Sequence, residues 1–373
     1  FKDKYWTKLP YFLEQNEIKS NWLHIYVKSE LLPTVDSAKK LIQNFNKSNI
    51  GMQNHLFLDS FLSLHVVMRT IIDWIKVIYK YMKIKSKIKQ KAVYFWPLVE
   101  SDLKVSLIGP NSTQNLLYYH LFRRAMQMLP TQKKGFYLQE NQGWEFGFIS
   151  AWREFMHERL IGVPHTTVRF WDLRYFFDSR TFNRTDIFDI PQPDKITVNG
   201  EDAKIKFING GYPIDKLVDL EALRFLFLGT LSKKIDSFRQ EDKINTLLVF
   251  TDYLLKNVTL QMSLLKQAVK MTDKKNKYII KPHPGNPILA EDFPEMDIKV
   301  SNSPSDELLD CCNVVYTSSL TSAAVDAYCA GKKVVTFLDS GSLNLSPLKG
   351  FDDVTFVHSA NDLFEILDNI ENF

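Results

Sequence analysis

Short apolar runs alternate with segments of helical periodicity through the last third of the chain. The runs predict strands at 246–250, 278–281, 298–300, 313–316, 333–337 and 354–357, and the periodic segments predict helices at 253–271, 305–311, 319–330 and 360–372. Buried strands that alternate with helices indicate a parallel sheet with crossover helices. Ligands of such sheets lie at the carboxyl ends of the strands, so the residues that follow each apolar run are candidates for function.

The pattern is less regular before residue 232. It predicts strands at 22–27, 135–139, 161–163 and 167–170, helices within 35–92 and at 141–156, and a turn at 207–212. Residues 232–243 are polar and charged, which is typical of a linker. We therefore predict an N-terminal α/β domain with a helical insertion at 1–231, and a C-terminal α/β domain at 244–373.

Composition narrows the class of protein. A chain of 373 residues can form two hydrophobic cores, and its net charge of +4 is too small to favour a nucleic-acid partner. Cys311, Cys312 and Cys329 match neither a disulfide framework nor a zinc motif, so we expect a cytoplasmic chain without bound metal. No apolar run approaches the roughly eighteen residues of a membrane-spanning helix. Because residue 1 is Phe rather than Met, we expect the natural N-terminus to lie before it.

Residues 74–91 mix Lys with Ile, Tyr and Trp at roughly helical spacing. A basic amphipathic helix of this kind could lie on an anionic membrane, which would place the chain peripherally on the cytoplasmic face of the inner membrane. Alternatively, its apolar face packs into the domain and the lysines are solvated.

The strongest chemical signal is Lys281-Pro-His-Pro284 at the end of a predicted strand. Two prolines restrict the backbone around His283, whose imidazole can then donate to a phosphate oxygen. Alternatively, the segment is a turn that ends the strand and leaves the histidine on the surface.

A second signal follows the strand predicted at 313–316. Ser318 and Ser319 begin a predicted helix, where hydroxyl groups, free backbone N–H groups and the helix dipole form an anion site. Ordinary N-capping by one serine is the alternative. Asp326 can accept hydrogen bonds from ribose hydroxyl groups, or it is a solvated helix residue. Together with His283, these residues favour a nucleotide site.

The segments KPHP at 281–284 and YTSSLTSAAVDAYCAG at 316–331 resemble the C-terminal domain of GT-B glycosyltransferases. Their His-Pro and Ser-Ser pairs are similar to motifs of bacterial sialyltransferases and Kdo transferases, and more loosely to those of CDP-glycerol polymer transferases. The resemblance implies two Rossmann-like α/β domains that face a cleft, with an α-rich N-terminal extension. It also implies that His283, Pro284, Ser318 and Ser319 bind the phosphate of a CMP-sugar. Asp326 lies where many of these enzymes carry a ribose-binding Glu, and the shorter side chain departs from that pattern.

A further resemblance, over roughly residues 135–340, is carried by Glu140-Asn-Gln-Gly-Trp-Glu145 and by HTTVRFWDLRY at 165–175. These segments look like a family of bacterial surface-carbohydrate biosynthesis proteins. An acidic residue at a comparable strand end is the base in the sialyltransferases, so Glu140 is the first candidate for the base that deprotonates the acceptor. Glu145 lies further into the predicted helix, and we expect it to be structural.

Four further residues remain candidates with open roles. Asp252 follows the first strand of the C-terminal domain and is either the nucleophile of a retaining reaction or a helix N-cap. His165, Arg169 and Asp172 lie in a polar and aromatic segment and are candidates for binding the sugar or the acceptor. Arg169 or Arg174 could pair with a sugar carboxylate, or with an acidic residue of the protein.

Missing motifs exclude other chemistry. The chain has neither a P-loop nor a Gly-x-Gly-x-x-Gly fingerprint, and no Asp-x-Asp ends a clear strand. ATP hydrolysis, NAD redox chemistry and a metal-bridged diphosphate therefore have no support. The resemblance to GT-B glycosyltransferases then implies a glycosyltransferase that needs neither a metal nor a cofactor. It would move a CMP-activated ulosonic acid (sialic-type or Kdo) from a nucleotide-sugar donor to a glycan or lipid-linked glycan of the bacterial surface, such as lipopolysaccharide or capsule. The alternatives are a CDP-polyol or UDP/GDP-hexose donor, or a non-catalytic polysaccharide-binding scaffold of the same fold.

Overall fold

The structure, a computed structural model, describes residues 5–29, 32–48, 51–91, 93–169, 172–178, 181, 190–220, 223–226, 229, 246–294, 296–371 and 373. The chain divides into two compact units. Unit 1 consists of Phe1–His165, Asp178–Val198 and Gly211–Leu223, and unit 2 consists of Thr166–Phe177, Asn199–Gly210 and Arg224–Phe373. The predicted linker at 232–243 lies outside the described residues, so the domain boundary stays a prediction.

Unit 1 is rich in helices before its main sheet begins. Its helices are α1 (Leu9–Gln15), α2 (Val35–Ser48), α3 (Leu64–Lys91), α4 (Trp96–Leu107), α5 (Pro110–Met128) and α6 (Gly143–Glu154). Its strands are β1 (Ser20–His24), β2 (Gln53–Phe57), β3 (Lys134–Leu138), β4 (Arg159–Val163), β5 (Lys195–Val198) and β6 (Leu217–Asp219). Strands β1 and β2 form a parallel pair, and the other four form a parallel sheet in the order β3-β4-β5-β6.

The core of unit 1 lies between this sheet and helices α5 and α6. Leu121 and Ala125 of α5 pack with Ile149 and Trp152 of α6 in one buried cluster. Residue 135 of β3 must be glycine, because a Cβ there would lie 2.4 Å from the Trp152 ring. The start of β3 therefore packs closely against α6.

Unit 2 contains a six-stranded parallel sheet. Its helices are α7 (Glu201–Asn209), α8 (Leu255–Val269), α9 (Ser305–Leu309), α10 (Ala323–Cys329) and α11 (Ala360–Asp368). Its strands are β7 (Thr246–Phe250), β8 (Lys277–Lys281), β9 (Ile298–Val300), β10 (Val314–Ser318), β11 (Lys333–Phe337) and β12 (Val354–Val357). The strand order is β12-β11-β10-β7-β8-β9, which is the Rossmann order, and it reverses between β7 and β10.

Both faces of this sheet are covered, which explains the continuous apolar runs. All five residues of β7 are buried. Leu247 and Val249 pack into the cluster that contains α8 and α11, whereas Leu248 and Phe250 pack into the cluster on the opposite face with α9 and α10. A strand covered on both sides has no polar face, so its sequence does not alternate.

Both units are parallel α/β structures, and the predicted fold class of two Rossmann-like domains with an α-rich N-terminal region is confirmed. Three local predictions were wrong. The turn predicted at 207–212 is partly helix α7, because Phe207 is fully buried against Tyr175. The described part of the strand predicted at 167–170 is not a strand, because β4, which precedes it, is already paired on both sides. Strand β2 interrupts the segment predicted as helical at 35–92, and its buried residues Gln53 and His55 are polar.

Candidate functional site

The carboxyl ends of β7 and β10 meet where the strand order of unit 2 reverses. Asp252, two residues beyond β7, is only 1% exposed. Its Oδ2 accepts hydrogen bonds from Ser318 Oγ at 2.7 Å and from Asn257 Nδ2 at 2.8 Å, and its Oδ1 accepts from the Leu254 N–H at 3.0 Å. One carboxylate therefore ties β7 to β10 and to the start of α8.

This environment favours a positioning role for Asp252. Helix α8 begins at Leu255 and its N-cap residue is Leu254, so Asp252 precedes the cap rather than forming it. A nucleophile must reach the anomeric carbon of the donor, but this carboxylate is covered and already accepts three hydrogen bonds. These contacts favour a role in orienting Ser318, and a catalytic role of Asp252 stays a prediction.

The two neighbouring serines differ in their surroundings. The helix predicted to begin at Ser319 begins at Ala323 instead, because β10 continues through Ser318, which pairs with Phe337 of β11. Ser318 is buried and donates to Asp252, whereas Ser319 is partly exposed in the turn after the strand. If one of them binds a ligand directly in this conformation, Ser319 is the accessible one.

Asp326 lies in the first turn of α10, where the helix dipole stabilises a negative charge. It is 8% exposed, so the interpretation as a solvated helix residue was wrong. Its assignment to ribose stays a prediction.

The His-Pro segment lies on the other side of β7. The backbone N–H of His283 donates to Thr251 Oγ1 at 3.0 Å, which ties the end of β8 to the end of β7. The Gly285 N–H donates to Nδ1 of His283 at 3.1 Å, so in the neutral ring the proton resides on Nε2. The imidazole and Pro284 are exposed. His283 therefore presents an oriented N–H donor at the sheet edge.

Strands β8 and β10 both flank β7, so His283 and the serine pair lie at one edge of one sheet. With strands about 4.8 Å apart, the two segments start about 10 Å from each other. Each is anchored to one of the two residues that follow β7, His283 to Thr251 and Ser318 to Asp252. The structure thus brings together the two motifs that the sequence singled out separately.

Sequence reasoning missed several residues of this edge. Thr251 anchors His283, Asn257 holds Asp252, and Asn286 donates to the Tyr253 carbonyl at 2.7 Å. The Tyr253 ring is 49% exposed and lies 6.3 Å from the His283 ring. The sequence does show Thr-Asp-Tyr immediately after its most apolar strand. These residues point to a site only when the order of the strands in the sheet is known, and one sequence does not give that order.

Unit 1 brings two further candidates together. Glu140 follows β3 and His165 follows β4, and these strands are parallel neighbours. Nε2 of His165 lies 3.2 Å from Oε1 of Glu140, and Gln142 Nε2 donates to the other carboxylate oxygen at 2.5 Å. The Glu140 and His165 side chains are 22% and 12% exposed. We call these two residues the Glu140–His165 pair.

Glu145 holds the loop that carries Glu140. Its carboxylate is buried and accepts hydrogen bonds from the backbone N–H groups of Glu140, Asn141 and Gln142 at 2.9 to 3.1 Å. Burial raises the pKa of Glu145 to about 7, although the three N–H groups oppose the shift. The structural role predicted for Glu145 agrees with these contacts.

The same loop contains a residue with a left-handed backbone conformation. Asn141 has φ of 58°, and its Nδ2 donates to the Tyr212 hydroxyl at 2.7 Å while its Oδ1 accepts from Gln139. Asparagine tolerates this backbone conformation better than most residues. The loop therefore has one defined shape that aims the Glu140 side chain.

The candidates Arg169 and Asp172 belong to unit 2, whereas His165 belongs to unit 1. Asp172 accepts two hydrogen bonds from the Arg174 guanidinium, at 3.0 and 2.8 Å. Arg174 is thus the partner of an acidic residue of the protein, which was one of the two interpretations. Arg169 is partly buried, and its role and that of Asp172 stay predictions.

Within the described ranges of the chain, no three His, Cys, Asp or Glu side chains are placed to hold a metal ion. No helix in these ranges has both the length and the hydropathy needed to cross a membrane.

No family model and no curated protein matches the chain. Among solved structures, MurG of Acinetobacter baumannii is similar with a TM-score of 0.47 at 11% identity, over 96% of this chain and 83% of that one. A UDP-GlcNAc 2-epimerase from Methanocaldococcus jannaschii gives a TM-score of 0.46 at 11% identity, over 71% of this chain and 77% of that one. HepE of Anabaena in complex with UDP and glucose gives a TM-score of 0.42 at 10% identity, over 93% of this chain and 89% of that one. All three scores lie below 0.5, so the likenesses favour no particular reaction.

Proposed function

We propose that this chain is a glycosyltransferase that uses a nucleotide-sugar donor and needs no metal. The donor phosphate would bind at the edge formed by β8, β7 and β10, and Glu140 would be the base. The observation that carries the proposal is the anchoring of His283 and Ser318 to consecutive residues after β7, at the point where the strand order reverses. Ligands of open α/β sheets bind at such points.

The leaving phosphate gains negative charge as its bond to the sugar breaks. The Nε2–H of His283 and the Ser319 hydroxyl are the donors available to stabilise that charge. Ser318 supports the turn that carries Ser319, because its own hydroxyl is held by Asp252. These groups can replace a metal ion as the source of electrostatic stabilisation.

The acceptor requires a base. An acceptor hydroxyl oxygen would attack the anomeric carbon, the bond from that carbon to the phosphate oxygen would break, and the hydroxyl proton would pass to the Glu140 carboxylate. His165 would orient that carboxylate and share the proton, since its Nε2 faces Oε1. This scheme corresponds to inversion at the anomeric carbon.

For the donor we propose a CMP-activated ulosonic acid, supported by the likeness of the His-Pro and Ser-Ser segments to sialyltransferase and Kdo-transferase motifs. The acceptor would be a glycan or a lipid-linked glycan of the bacterial surface. A thermal-shift panel of CMP, CDP, UDP and GDP tests this, with His283→Ala as the matched variant. We expect CMP to give the largest rise in Tm and His283→Ala to lose it. A preference for UDP or GDP would replace the CMP proposal with a hexose donor, and no shift with any nucleotide would refute nucleotide binding.

We also propose that α3 rests on an anionic membrane surface. Ile72, Ile75, Tyr79 and Met82 lie at i, i+3, i+7 and i+10 and are 41% to 60% exposed, so this stripe does not pack into unit 1. Exposed lysines, including Lys80, flank it. Liposome flotation tests the proposal with the triple variant Lys80, Lys83, Lys87→Gln against Lys39, Lys40, Lys47→Gln on α2. Binding only to anionic vesicles and loss only in the α3 variant are expected, and equal behaviour of the two variants would refute it.

A further inference from the structure

A cavity of about 450 Å³ lies among helices α3, α5 and α6 of unit 1. It is bordered by the first two turns of α3, the second half of α5 and the end of α6. Helix α6 starts three residues after Glu140, and its 12 residues span about 18 Å. The cavity is therefore separated from the Glu140–His165 pair by the length of a helix.

Helix α5 lines the cavity with polar side chains that recur at helical spacing. His120, Arg123, Arg124 and Gln127 lie at i, i+3, i+4 and i+7, so they share one face of the helix. On α3, His65 and Arg69 are four residues apart, and Arg69 Nε lies 3.5 Å from His65 Nε2. Two helices thus direct arginine and histidine side chains into one hollow.

Acidic residues compensate only part of this charge. Glu154 accepts from Arg123 Nε at 2.8 Å and also contacts its Nη2. Asp73 accepts from His120 at 3.0 Å and pairs with Lys76. Among the described residues, no carboxylate lies within ion-pair distance of Arg69 or Arg124, and the Arg124 side chain is partly buried.

Arg124 is partly buried and Arg69 is exposed. A partly buried guanidinium without an anion is costly, and Arg124 together with Arg69 forms a receptor for an anion. Arginine forks match the oxygens of a phosphoryl group, with which they make paired, charge-assisted hydrogen bonds. The volume is within the range of small-molecule sites. We propose that this cavity binds a phosphoryl group, separately from the donor site and whatever reaction the chain catalyses.

The phosphoryl group could be a lipid headgroup or part of a soluble metabolite. Helix α3 supplies both His65 and Arg69 of the cavity and the exposed apolar residues Leu64 and Met68 beside them, at 78% and 49% exposure. A lipid phosphate at a membrane surface and a free phosphate ester offer the same oxygens to the two arginines. Experiment must separate these sources.

Calorimetric titration with inorganic pyrophosphate tests the shared chemistry on the full chain. Removing one charged contact weakens binding roughly tenfold, and removing two roughly 100-fold. We therefore expect a tenfold loss in Arg124→Gln and near-complete loss in Arg69→Gln/Arg124→Gln. The control Arg159→Gln, which removes an exposed arginine at the start of β4, should bind as the unmodified chain does.

Flotation of vesicles of phosphatidylcholine with phosphatidic acid then separates the sources. Loss of flotation in Arg69→Gln/Arg124→Gln, together with release of the unmodified chain by pyrophosphate, assigns the cavity to a lipid headgroup. Calorimetric binding with unchanged flotation assigns it to a soluble phosphate ester. Absence of pyrophosphate binding, or equal affinity in Arg124→Gln and Arg159→Gln, would overturn the proposal.

Discussion

Each unit places a histidine beside a tyrosine ring at the carboxyl edge of its parallel sheet, but the two imidazoles have different partners. In unit 1, His165 packs edge-on against Tyr5, with ring centroids 4.6 Å apart, and its Nε2 faces the Glu140 carboxylate. In unit 2, His283 lies near Tyr253, and its Nδ1 accepts from the Gly285 backbone. One ring is coupled to a group that can take a proton, and the other is fixed as a donor.

The comparison teaches that the neighbour decides the chemistry of a histidine. A carboxylate beside an imidazole makes a pair that can accept and share a proton. A backbone N–H beside Nδ1 leaves Nε2–H to point outward, which suits an anion that must be stabilised. We therefore propose proton removal for Glu140 and phosphate stabilisation for His283.

The largest expected effect separates these two roles. Replacing Glu140 by Gln removes the base but keeps the size of the side chain, so transfer should fall roughly 10²- to 10⁴-fold. Nucleotide binding, measured by thermal shift, should stay unchanged because that site is assigned to unit 2. Glu158→Gln, at an exposed position before β4, is the matched control. Equal activity of the two variants would remove Glu140 from the mechanism.

The next effect concerns Glu145, whose buried carboxyl group holds the loop that carries Glu140 in unit 1. The pKa of Glu145 is raised from 4.5 to about 7, so the folded chain binds this proton more tightly than the unfolded chain does. The resulting stabilisation is complete below about pH 4.5 and is lost as the pH rises through 7. The difference corresponds to about 3 kcal/mol of unfolding free energy.

Urea unfolding at pH 5 and pH 8 measures this change. Glu145→Gln should flatten the fall in stability between the two pH values, while it lowers stability at both, because its amide group offers one acceptor to three backbone N–H groups. Glu158→Gln should keep the slope. An identical slope in Glu145→Gln would show that another group titrates.

A smaller effect distinguishes the two serines of unit 2. Ser318→Ala removes a buried donor from Asp252 and should cost about 1–3 kcal/mol of stability. Ser319→Ala should leave stability unchanged within about 0.5 kcal/mol and weaken donor binding instead. Chemical unfolding and nucleotide titration of both variants give the comparison. The reverse pattern would make Ser318 the phosphate ligand.

The sequence predicted the parts of the fold that depend on local pattern. The continuous apolar run at 246–250 predicted strand β7, all of whose residues are buried, and the proline-flanked segment at 281–284 marked the end of the next strand, β8. Predictions failed where polar residues are buried, as at Gln53 and His55 of β2, because an apolar pattern cannot detect them. They also failed at Ser319, because β10 continues through Ser318, which pairs with Phe337 of β11, and the helix begins only at Ala323.

The pattern of apolar and polar residues could not predict which residues distant in sequence contact each other. Glu140 and His165 were each singled out, but their pairing depends on β3 and β4 being neighbours. The role of Asp252 depends on β10, which lies 62 residues further along the chain, being placed next to β7. Strand order is set by long-range packing, so the sequence identified the chemical groups but not their contacts.

The smallest expected effect concerns Tyr253, which the sequence did not single out. Its ring is half exposed beside His283, and Asn286 fixes its backbone, so the ring is positioned to stack on a planar group of the donor. Aromatic stacking contributes about 0.5–1.5 kcal/mol, so Tyr253→Leu should weaken nucleotide binding roughly two- to tenfold. Tyr253→Phe keeps the ring and should bind as the unmodified chain does. If both variants lose affinity equally in a nucleotide titration, the hydroxyl group rather than the ring makes the contact. If neither does, the donor lies elsewhere on this edge, and the parallel between the two histidine–tyrosine arrangements is structural only.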